Sequence, residues 1–446
     1  MSLEHPPAVD VRGPEPVAST HHAPRRAAAA AFLGSVVEYY DLVAYGTAAA
    51  LVFNTLFFRD VAPSVALILS FATFASGYVV RPLGGLLFGW IGDRHGRRTA
   101  VMLTIVVMGA ATVLIGLLPT YASIGWVAPV LLVVLRLLQG LAVGGELGGA
   151  VLIAVEHAPE RRRGFYGSFS TAGAQAGTVL ATVVFAVLTA TTSDAAFASW
   201  GWRVPFLASA LIVLIGALIR YGLEETPDFT RARAEAPVRN PIRTTLTSHP
   251  GAVLGIIAVM AGMMSVWYLL TVYSLSYATT QAGIDKPTIL WVVTAATFLV
   301  VVMNPVWGAL SDRIGRTTLL SAGLVVEGLL LVAYFLALRS GSVGLIFVAL
   351  LAVAGLGHAC VNGIFPAFVA EALPPSVRYT AGSLGMQVAA LIAGFAPLVA
   401  VALEGSTFGV WTTCTLALLL CLAGAVAARL LVRSRSSAAV VEPAVV

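Results

Sequence analysis

Two acidic side chains stand close together in the first apolar stretch of this 446-residue sequence. Glu38 and Asp41 are three residues apart, and Tyr45 follows one helical turn later, so in a helix the three side chains share one face. Two neighbouring carboxylates in a medium of low dielectric repel each other, which favours a proton held between them. The spacing therefore predicts a face that binds and releases protons. A permanent ion pair between one carboxylate and an arginine, which would only fix helix packing, is the alternative.

The fourth apolar stretch carries a second polar face. Arg136, Gln139 and Glu146 follow one another at helical spacing, which places them on one side of a helix. A charged side chain at the centre of a membrane helix costs about 2.5–3.5 kcal/mol on insertion scales, so its presence indicates a function. A guanidinium in a cavity can bind a carboxylate through two parallel hydrogen bonds, or it can stabilise the ionised form of a nearby acid. A salt bridge within this helix or to the first helix is the alternative.

Aromatic and amide side chains in the later apolar stretches are further candidates for a binding cavity. His358 and Asn362 are four residues apart and share a helix face, whereas Glu327, within the ninth stretch, indicates only pairing between helices. Rings and amides supply stacking faces and hydrogen bonds for a small ligand. An isolated histidine is also common as a packing residue, and that alternative is open for His358. We expect the substrate to contact Tyr45, Arg136, Gln139, Trp267, Tyr268, His358 and Asn362, and the proton to involve Glu38, Asp41, Arg136 and Glu146.

The composition indicates which kind of protein must position these side chains. Hydrophobic residues make up 59% of the chain and charged residues only 11%, and the mean hydropathy is +0.91. Soluble proteins average roughly 45–50% apolar and about 25% charged residues, so most of this chain belongs in a lipid bilayer. The net charge is +5, but the arginines lie between apolar stretches, where they set topology, and we expect no nucleic-acid partner. The three cysteines lack metal-ligand spacing, and we expect no metal or other cofactor.

Hydropathy divides the chain into twelve apolar stretches, six on each side of one long polar segment. Twenty arginines lie at the chain ends and in the even-numbered loops, against four basic residues in the odd-numbered loops. This asymmetry predicts that both termini are cytoplasmic. The predicted domains are a disordered cytoplasmic tail at 1–26, an N-terminal six-helix bundle at 27–222, a central cytoplasmic loop at 223–249, a C-terminal six-helix bundle at 250–432 and a cytoplasmic tail at 433–446.

A loop motif of glycine, aspartate and arginine occurs once in each half. The first copy begins at Gly89 and the second at Gly308, an offset of 219 residues, which indicates the internal duplication that builds many secondary transporters. The aspartate can accept hydrogen bonds from a helix N-terminus, and the arginines can pair with acids, so we predict a cytoplasmic latch that favours one conformation. Positive-inside topology alone would explain the arginines but not the repeated aspartate and glycines. The predicted latch residues are Gly89, Asp93, Arg94, Gly96, Arg97, Gly308, Asp312, Arg313, Gly315 and Arg316.

The duplicated loop resembles the signature of the major facilitator superfamily. Within it, the segments at residues 45–58 and 114–125 are most similar to the shikimate-transporter-like branch of the metabolite:proton symporter family. The resemblance implies an all-α membrane protein with twelve transmembrane helices in two six-helix halves. In the superfamily an Arg-x-x-Gln-Gly element is linked to proton coupling, which implies that role for Arg136. Other matching elements are Glu38-Tyr-Tyr-Asp41, Arg81-Pro-Leu-Gly-Gly85 and Gly144-Gly-Glu146.

These features together predict a proton-driven symporter that imports a small organic acid by alternating access across a bacterial inner membrane. A symporter for a zwitterionic osmolyte of the proline or betaine type is one alternative. A proton antiporter that exports drugs or metabolites is another, although its fifth helix would usually carry a Gly-Pro motif, which residues 164–186 lack. The sequence offers no convergent set of nucleophile, base or ligands, so we do not expect an enzyme. The expected partners are a small-molecule substrate, protons and the lipid bilayer, with the proton gradient as energy source and a monomer as the functional unit.

Overall fold

Long apolar helices form this computed structural model, which describes residues 23–95, 97–145, 154–155, 158–221, 246–247, 249–373, 378–404, 406 and 408–441. The regular secondary structure within these ranges is helical. The long helices are α1 (23–57), α2 (63–95), α3 (Arg97–Leu117), α4 (Val127–Gly145), α5 (Arg163–Thr191), α6 (Val204–Tyr221), α7 (Pro250–Thr280), α8 (Lys286–Ile314), α9 (Arg316–Arg339), α10 (Val343–Ala372), α11 (Arg378–Leu403) and α12 (Val410–Val441).

The helix lengths agree with membrane-spanning segments. Ten of the described helices are long and apolar enough to cross a bilayer, for which about 20 residues are needed. The other two, α3 and α6, carry shorter apolar segments at Met102–Leu117 and Gly201–Leu214. Six helices on each side of the central segment confirm the predicted all-α fold in two halves.

The helical chain extends past the predicted limits of both bundles. It begins at Ala23, inside the predicted N-terminal tail, and α12 continues to Val441, inside the predicted C-terminal tail. The sequence from Val410 to Val441 contains no proline, so the backbone hydrogen bonds of the helix can continue. Most of the predicted loop at 223–249 lies outside the described residues.

The twelve helices form two bundles that meet along several pairs of helices. In the N-terminal half, α1 to α6, helix α1 packs along α5, and α4 packs against α2 and α3. In the C-terminal half, α7 to α12, helix α7 packs against α11 and α12. The halves meet where α5 lies beside α8 and α10, where α2 lies beside α11, and where α1 contacts α7.

Glycines allow α2 and α4 to approach closely. Gly140 of α4 lies against the backbone of Gly77 in α2, and a Cβ atom at Gly140 would overlap with the Gly77 carbonyl oxygen. A Cβ atom at Gly77 would lie 2.6 Å from Nε of Arg136. Small residues at such positions bring the backbones of membrane helices together. The glycines therefore place the guanidinium of Arg136 directly against α2.

Start and stop signals in the sequence define α8. The Asp285 carboxylate accepts a hydrogen bond from the Thr288 backbone N–H at 3.0 Å, which stabilises the first turn and lowers the pKa of the Asp285 carboxyl. Helix α8 ends at Gly315, whose φ is 109°, a conformation that glycine adopts without strain. The chain turns directly into α9, which places Asp312 and Arg316 on either side of the turn.

Three helices contain π-helical segments that the sequence analysis did not predict. The segment in α1 is Ala49–Phe53, and the segment in α7, Leu269–Tyr273, follows 220 residues later. These two segments occupy equivalent positions in the duplicated halves, and helix α10 carries a third at Val353–His358. Such segments are frequent at functional sites, but no residue type is specific for a π-helical backbone.

Candidate proton and substrate site

Two hydroxyl groups surround the buried carboxylate of Asp41 in α1, which is 1% exposed. Ser209 of α6 donates a hydrogen bond to Oδ1 at 2.5 Å. The Thr112 hydroxyl of α3 lies 3.0 Å from Oδ2 and 2.9 Å from the Met108 carbonyl oxygen, so its single proton has two acceptors. Among the described residues, no arginine or lysine forms a salt bridge with Asp41. Adding a proton to Asp41 therefore breaks no ion pair in this conformation.

A chain of hydrogen bonds joins Asp41 to Arg136. The Gln139 amide nitrogen donates to the Thr112 hydroxyl oxygen at 2.8 Å, and the Gln139 amide oxygen accepts from Nη1 of Arg136 at 2.5 Å. Arg136 and Gln139 thus lie on one face of α4, as their spacing predicts. We call this path from Asp41 through Thr112 and Gln139 to Arg136 the relay.

Aromatic rings hold the guanidinium of Arg136, which is 2% exposed. Its central carbon lies 4.2 Å from the centroid of the Tyr45 ring, a distance typical of cation–π attraction. The Tyr45 hydroxyl donates to Thr73 of α2 at 2.7 Å, which fixes the ring. Nε and Nη2 of Arg136 face the Phe74 carbonyl oxygen at 3.4 Å. These two long contacts leave the guanidinium able to bind a stronger acceptor.

The relay borders a small cavity between α1, α2, α3 and α4. Glu38 and Asp41 both line it, as their spacing predicts, together with the side chains of Arg81 and Arg136. Two carboxylates and two guanidinium groups have a formal sum of zero when all four are ionised. Nε of Arg81 has no hydrogen-bond partner among the described residues, and its guanidinium lies 4.2 Å from the ring centroid of Tyr78.

The aromatic pair on α7 faces in two directions. Tyr268 contacts the N-terminal half, with ring centroids 5.7 Å from Phe74 and 5.8 Å from Tyr78. Its hydroxyl and that of Tyr78 are buried and interact with each other. Trp267 instead stacks on His358 of α10, with ring centroids 4.0 Å apart and planes 11° apart.

His358 lies in a separate cluster and does not line the cavity beside Asp41. Its Nδ1 is 2.8 Å from Oε1 of Glu327 on α9, and its Nε2 is 3.3 Å from the amide nitrogen of Gln175 on α5. Asn362 lies one turn further along α10. Its Nδ2 is 3.2 Å from the side-chain oxygen of Asn304 on α8 when the Asn304 amide is flipped so that its oxygen accepts. The predicted substrate residues therefore fall into two groups, one in each half.

At the C-terminal end of α8, Asp312 connects the two halves. Its carboxylate accepts hydrogen bonds from the backbone N–H groups of Gly164 and Phe165, at 2.8 and 3.1 Å, at the start of α5. Arg316 pairs with Asp312 at 2.9 Å and with Glu371 of α10 at 2.5 Å. The hydrogen bonds from a helix N-terminus to Asp312 agree with the geometry that the duplicated motif predicts for its second copy, and the contact joins the two halves at this end of the bundles.

Other residues of the predicted latch and site stand apart from this contact. Arg313 is exposed, and the Arg94 guanidinium lies 5.6 Å from the ring centroid of Trp90. Glu146 and Gly96 lie outside the described residues, as do the surroundings of Gly89 and the side chains of Asp93 and Arg97.

Four polar residues at these sites were not predicted from the sequence. They are Thr73, Thr112, Gln175 and Ser209. Each is a polar residue within an apolar stretch, but such residues are common in membrane helices and often hydrogen-bond to their own backbone. Only their contacts with side chains of other helices distinguish them.

Comparisons with known proteins agree with this architecture. Residues 27–240 match the family described as "Sugar (and other) transporter", and residues 255–445 match "Major Facilitator Superfamily". The crystal structure of a D-xylose-proton symporter superposes with a TM-score of 0.70 at 19% sequence identity, covering 89% of this chain and 95% of that chain. At this identity the likeness shows the fold alone.

Curated relatives are similar over most of their length. The chain is 39% identical over 412 residues to the shikimate transporter of Escherichia coli K12, covering 91% of this chain and 94% of that protein. It is 39% identical over 387 residues to the inner membrane metabolite transport protein YhjE of the same strain, covering 84% and 87%. It is also 33% identical over 386 residues to the proline/betaine transporter of that strain, covering 84% and 77%.

Proposed function

Because this chain belongs to the major facilitator superfamily and, within it, to the metabolite:proton symporter family, we propose that it imports a small hydroxylated carboxylic acid together with a proton. It is a multi-pass transporter of the bacterial inner membrane and not an enzyme, and its partners include a small-molecule substrate and the lipid bilayer. Proton coupling belongs to the proposal. So do cytoplasmic termini, action as a monomer, and a proton gradient as energy source without a cofactor.

The observation that carries the proposal is the relay between Asp41 and Arg136. When Asp41 is ionised, Ser209 and Thr112 can both donate to it. When Asp41 is protonated, its own O–H needs an acceptor, and the Thr112 oxygen is the nearby candidate. Gln139 donates to that same oxygen and accepts from Arg136. A proton at Asp41 therefore changes the hydrogen bonds of the group that we expect to hold the substrate.

The formal charges of the cavity favour symport of an acid with a proton. Glu38 and Asp41 balance Arg81 and Arg136 around the same space. An isolated charge is costly in a medium of low dielectric. A monovalent carboxylate that enters with one proton adds no net charge, so the loaded site remains balanced while the protein changes conformation.

Unpartnered polar atoms near the cavity fit a ring that bears hydroxyl groups. Nε of Arg81 is buried without a hydrogen-bond partner among the described residues. The buried hydroxyls of Tyr78 and Tyr268 interact with each other, and a pair of hydroxyls that shares one proton has a second proton left to donate. Leaving buried polar groups unpaired costs about 1–3 kcal/mol each, and substrate oxygens could supply the missing partners. The 39% identity to the shikimate transporter of Escherichia coli supports the same substrate class.

A symporter for a zwitterionic osmolyte is the second candidate. The chain is similar to the proline/betaine transporter of Escherichia coli, and a quaternary ammonium group binds well to aromatic faces. The faces of Tyr45 and Phe74 are, however, already occupied by the Arg136 guanidinium. A second cation there would be repelled, which favours the carboxylate.

The cytoplasmic contact at Asp312 supplies the conformational part of the cycle. Hydrogen bonds to Gly164 and Phe165 stabilise the conformation in which the cytoplasmic side is closed. Opening that side requires these bonds to break, so their strength sets part of the equilibrium between the two states. Substrate and proton can shift this equilibrium towards the open form only if they bind that form more tightly than the closed form.

Uptake of labelled substrate into right-side-out membrane vesicles tests this proposal. Labelled shikimate should accumulate when the outside is more acidic than the inside, and a protonophore should abolish accumulation. Unlabelled shikimate should compete, whereas glycine betaine should not. Equal uptake with and without the gradient would contradict proton coupling. Accumulation of betaine but of no carboxylate would support the osmolyte symporter instead.

A further inference from the structure

A glutamate and a histidine form a buried pair in the C-terminal half that the proposed function does not use. Glu327 is 0% and His358 is 2% exposed, and Oε1 of Glu327 lies 2.8 Å from Nδ1 of His358. Within the described residues, no arginine or lysine forms a salt bridge with Glu327. The other titratable side chains close to Glu327 are the thiols of Cys360 and Cys421, and thiols buried in apolar surroundings are neutral.

The charge of this pair depends on one proton. An ionised Glu327 beside a neutral His358 leaves one net negative charge inside the membrane protein. A buried net charge is costly, and the cost is removed when the pair gains a proton. The proton can lie on either group, because the two share a hydrogen bond and titrate as a unit. The geometry is therefore that of a site that holds one exchangeable proton.

Gln175 connects this pair to the N-terminal half. Its amide nitrogen lies 3.3 Å from Nε2 of His358, so in this orientation it donates to an imidazole whose hydrogen is on Nδ1. A doubly protonated imidazole carries hydrogens on both nitrogens and needs an acceptor at Nε2. The Gln175 amide oxygen, which has no hydrogen-bond partner among the described residues, becomes that acceptor if the amide turns over.

Trp267 connects the pair to the substrate site. Its ring stacks on His358 at 4.0 Å, and the next residue, Tyr268, contacts Tyr78 and Phe74 in the N-terminal half. A change in the charge or position of the imidazole therefore acts on Trp267 and, through the adjacent Tyr268, on the ring of Tyr78, which contacts Arg81. His358 also ends the π-helical segment of α10.

We propose that Glu327 and His358 form a second proton-binding site, located in the C-terminal half, and that Gln175 transmits its protonation state to the N-terminal half. The role in a transport cycle rests on the proposed function, whereas proton binding at this pair does not. The site at Asp41 and the site at His358 lie in different halves, so each can be tested without the other.

Fluorine NMR of the full-length protein in lipid nanodiscs tests proton binding directly. The protein is labelled with fluorotryptophan, and the resonance that disappears in Trp267→Phe is assigned to Trp267. Because that ring stacks on the imidazole, its resonance should shift sigmoidally between about pH 4 and about pH 9, the range in which histidine ordinarily titrates. A Trp267 resonance that does not move over this range would overturn the proposal.

Variants of the pair distinguish a proton shared by Glu327 and His358 from the titration of His358 alone. His358→Gln should abolish the transition. Glu327→Gln should move its midpoint by at least about one pH unit, because the carboxylate that shares the proton is gone. The same midpoint in parent and Glu327→Gln would overturn the shared site. Size-exclusion elution and the dispersion of the other tryptophan resonances report whether each variant is folded.

Two further variants test whether this site is independent of Asp41 and whether Gln175 connects it to the N-terminal half. Asp41→Asn should retain the transition of Trp267, so a failure of coupling at Asp41 and a failure of this second site give different results. Gln175→Leu should retain the transition but shift its midpoint, since leucine offers no acceptor to the second imidazole N–H. An unchanged midpoint in Gln175→Leu would contradict the connection between the halves.

Discussion

Arg136 and Asp41 are connected through two neutral side chains and form no salt bridge with each other in the described structure. A direct buried ion pair would lose much of its attraction if one partner were protonated, and breaking such a pair is strongly destabilising. The relay avoids that loss, because each step is a hydrogen bond that can be rearranged. Asp41 can therefore gain and lose a proton while the surrounding helices remain packed.

Asp41→Asn should abolish concentrative uptake and retain exchange of substrate across the membrane. Asparagine keeps the shape, its Oδ1 can accept from Ser209 and its Nδ2 can donate to the Thr112 oxygen, so it resembles the protonated acid but cannot release a proton. Accumulation driven by a pH gradient and counterflow of labelled substrate in preloaded vesicles measure the two properties. Glu38→Gln tests whether the second acid of the cavity is also required. If both variants accumulate substrate as the parent does, the coupling site lies elsewhere.

Thr112→Val should lower gradient-driven uptake by about tenfold or more, because it removes the central hydroxyl of the relay. A hydrogen bond to a charged group contributes about 1.5–3 kcal/mol, and 1.4 kcal/mol corresponds to a factor of ten. Valine has nearly the same shape as threonine, so packing against Met108 is retained. Thr112→Ser restores the hydroxyl and is the matched control. Equal rates for the valine and serine variants would exclude a role for the hydroxyl.

Arg136→Lys should raise the KM for a carboxylate substrate by about tenfold or more, because lysine keeps the charge but loses the planar fork. It also loses the hydrogen bond to Gln139 in its present geometry. Arg339→Lys is the matched control, since the Arg339 guanidinium also lies over an aromatic ring, that of Trp411, but at the end of α9. Near-normal KM in Arg136→Lys would show that Arg136 does not contact the substrate.

Asp312→Asn should weaken closure of the cytoplasmic side. A neutral amide accepts hydrogen bonds from the N-terminus of α5 less strongly than a carboxylate does, and it also loses the ion pair with Arg316. Crosslinking of cysteines introduced at the exposed positions Arg161 and Arg313, which lie near the start of α5 and the end of α8, measures closure. Asp194→Asn removes the exposed ion pair with Lys286 and is the control. The same crosslinking in Asp312→Asn and in the parent would contradict the latch.

Gly140→Ala should destabilise the N-terminal half by about 1–3 kcal/mol, the usual cost of overpacking. The added methyl group would overlap with the Gly77 carbonyl oxygen and force α2 and α4 apart. Gly344→Ala, in the first turn of α10, is the matched control, because no atom lies within 4 Å of a Cβ atom there. Thermal unfolding in detergent measures both variants. A parental unfolding temperature for Gly140→Ala would contradict the close approach.

Hydropathy and charge were enough to predict the twelve helices, because the bilayer imposes one rule on every segment. A stretch of about 20 apolar residues must satisfy its backbone hydrogen bonds within itself, and a helix does so. Helical spacing likewise predicted that Glu38 and Asp41 face one cavity and that Arg136 and Gln139 lie together. The duplicated motif predicted the hydrogen bonds that Asp312 accepts, because an aspartate can accept hydrogen bonds from a helix N-terminus.

Only the tertiary structure decided which helices bring their polar groups together. Asp41 meets Ser209, which is 168 residues away, and His358 meets Gln175, which is 183 residues away. No periodicity links such positions, since these contacts depend on the rotation and depth at which two packed helices meet. The sequence indicated that Glu327 pairs with another helix, which the contact with His358 confirms, but it did not indicate which residue is the partner. The sequence by itself determined the membrane fold and the local faces, and helix packing across the two halves determined the relay and the buried Glu327–His358 pair.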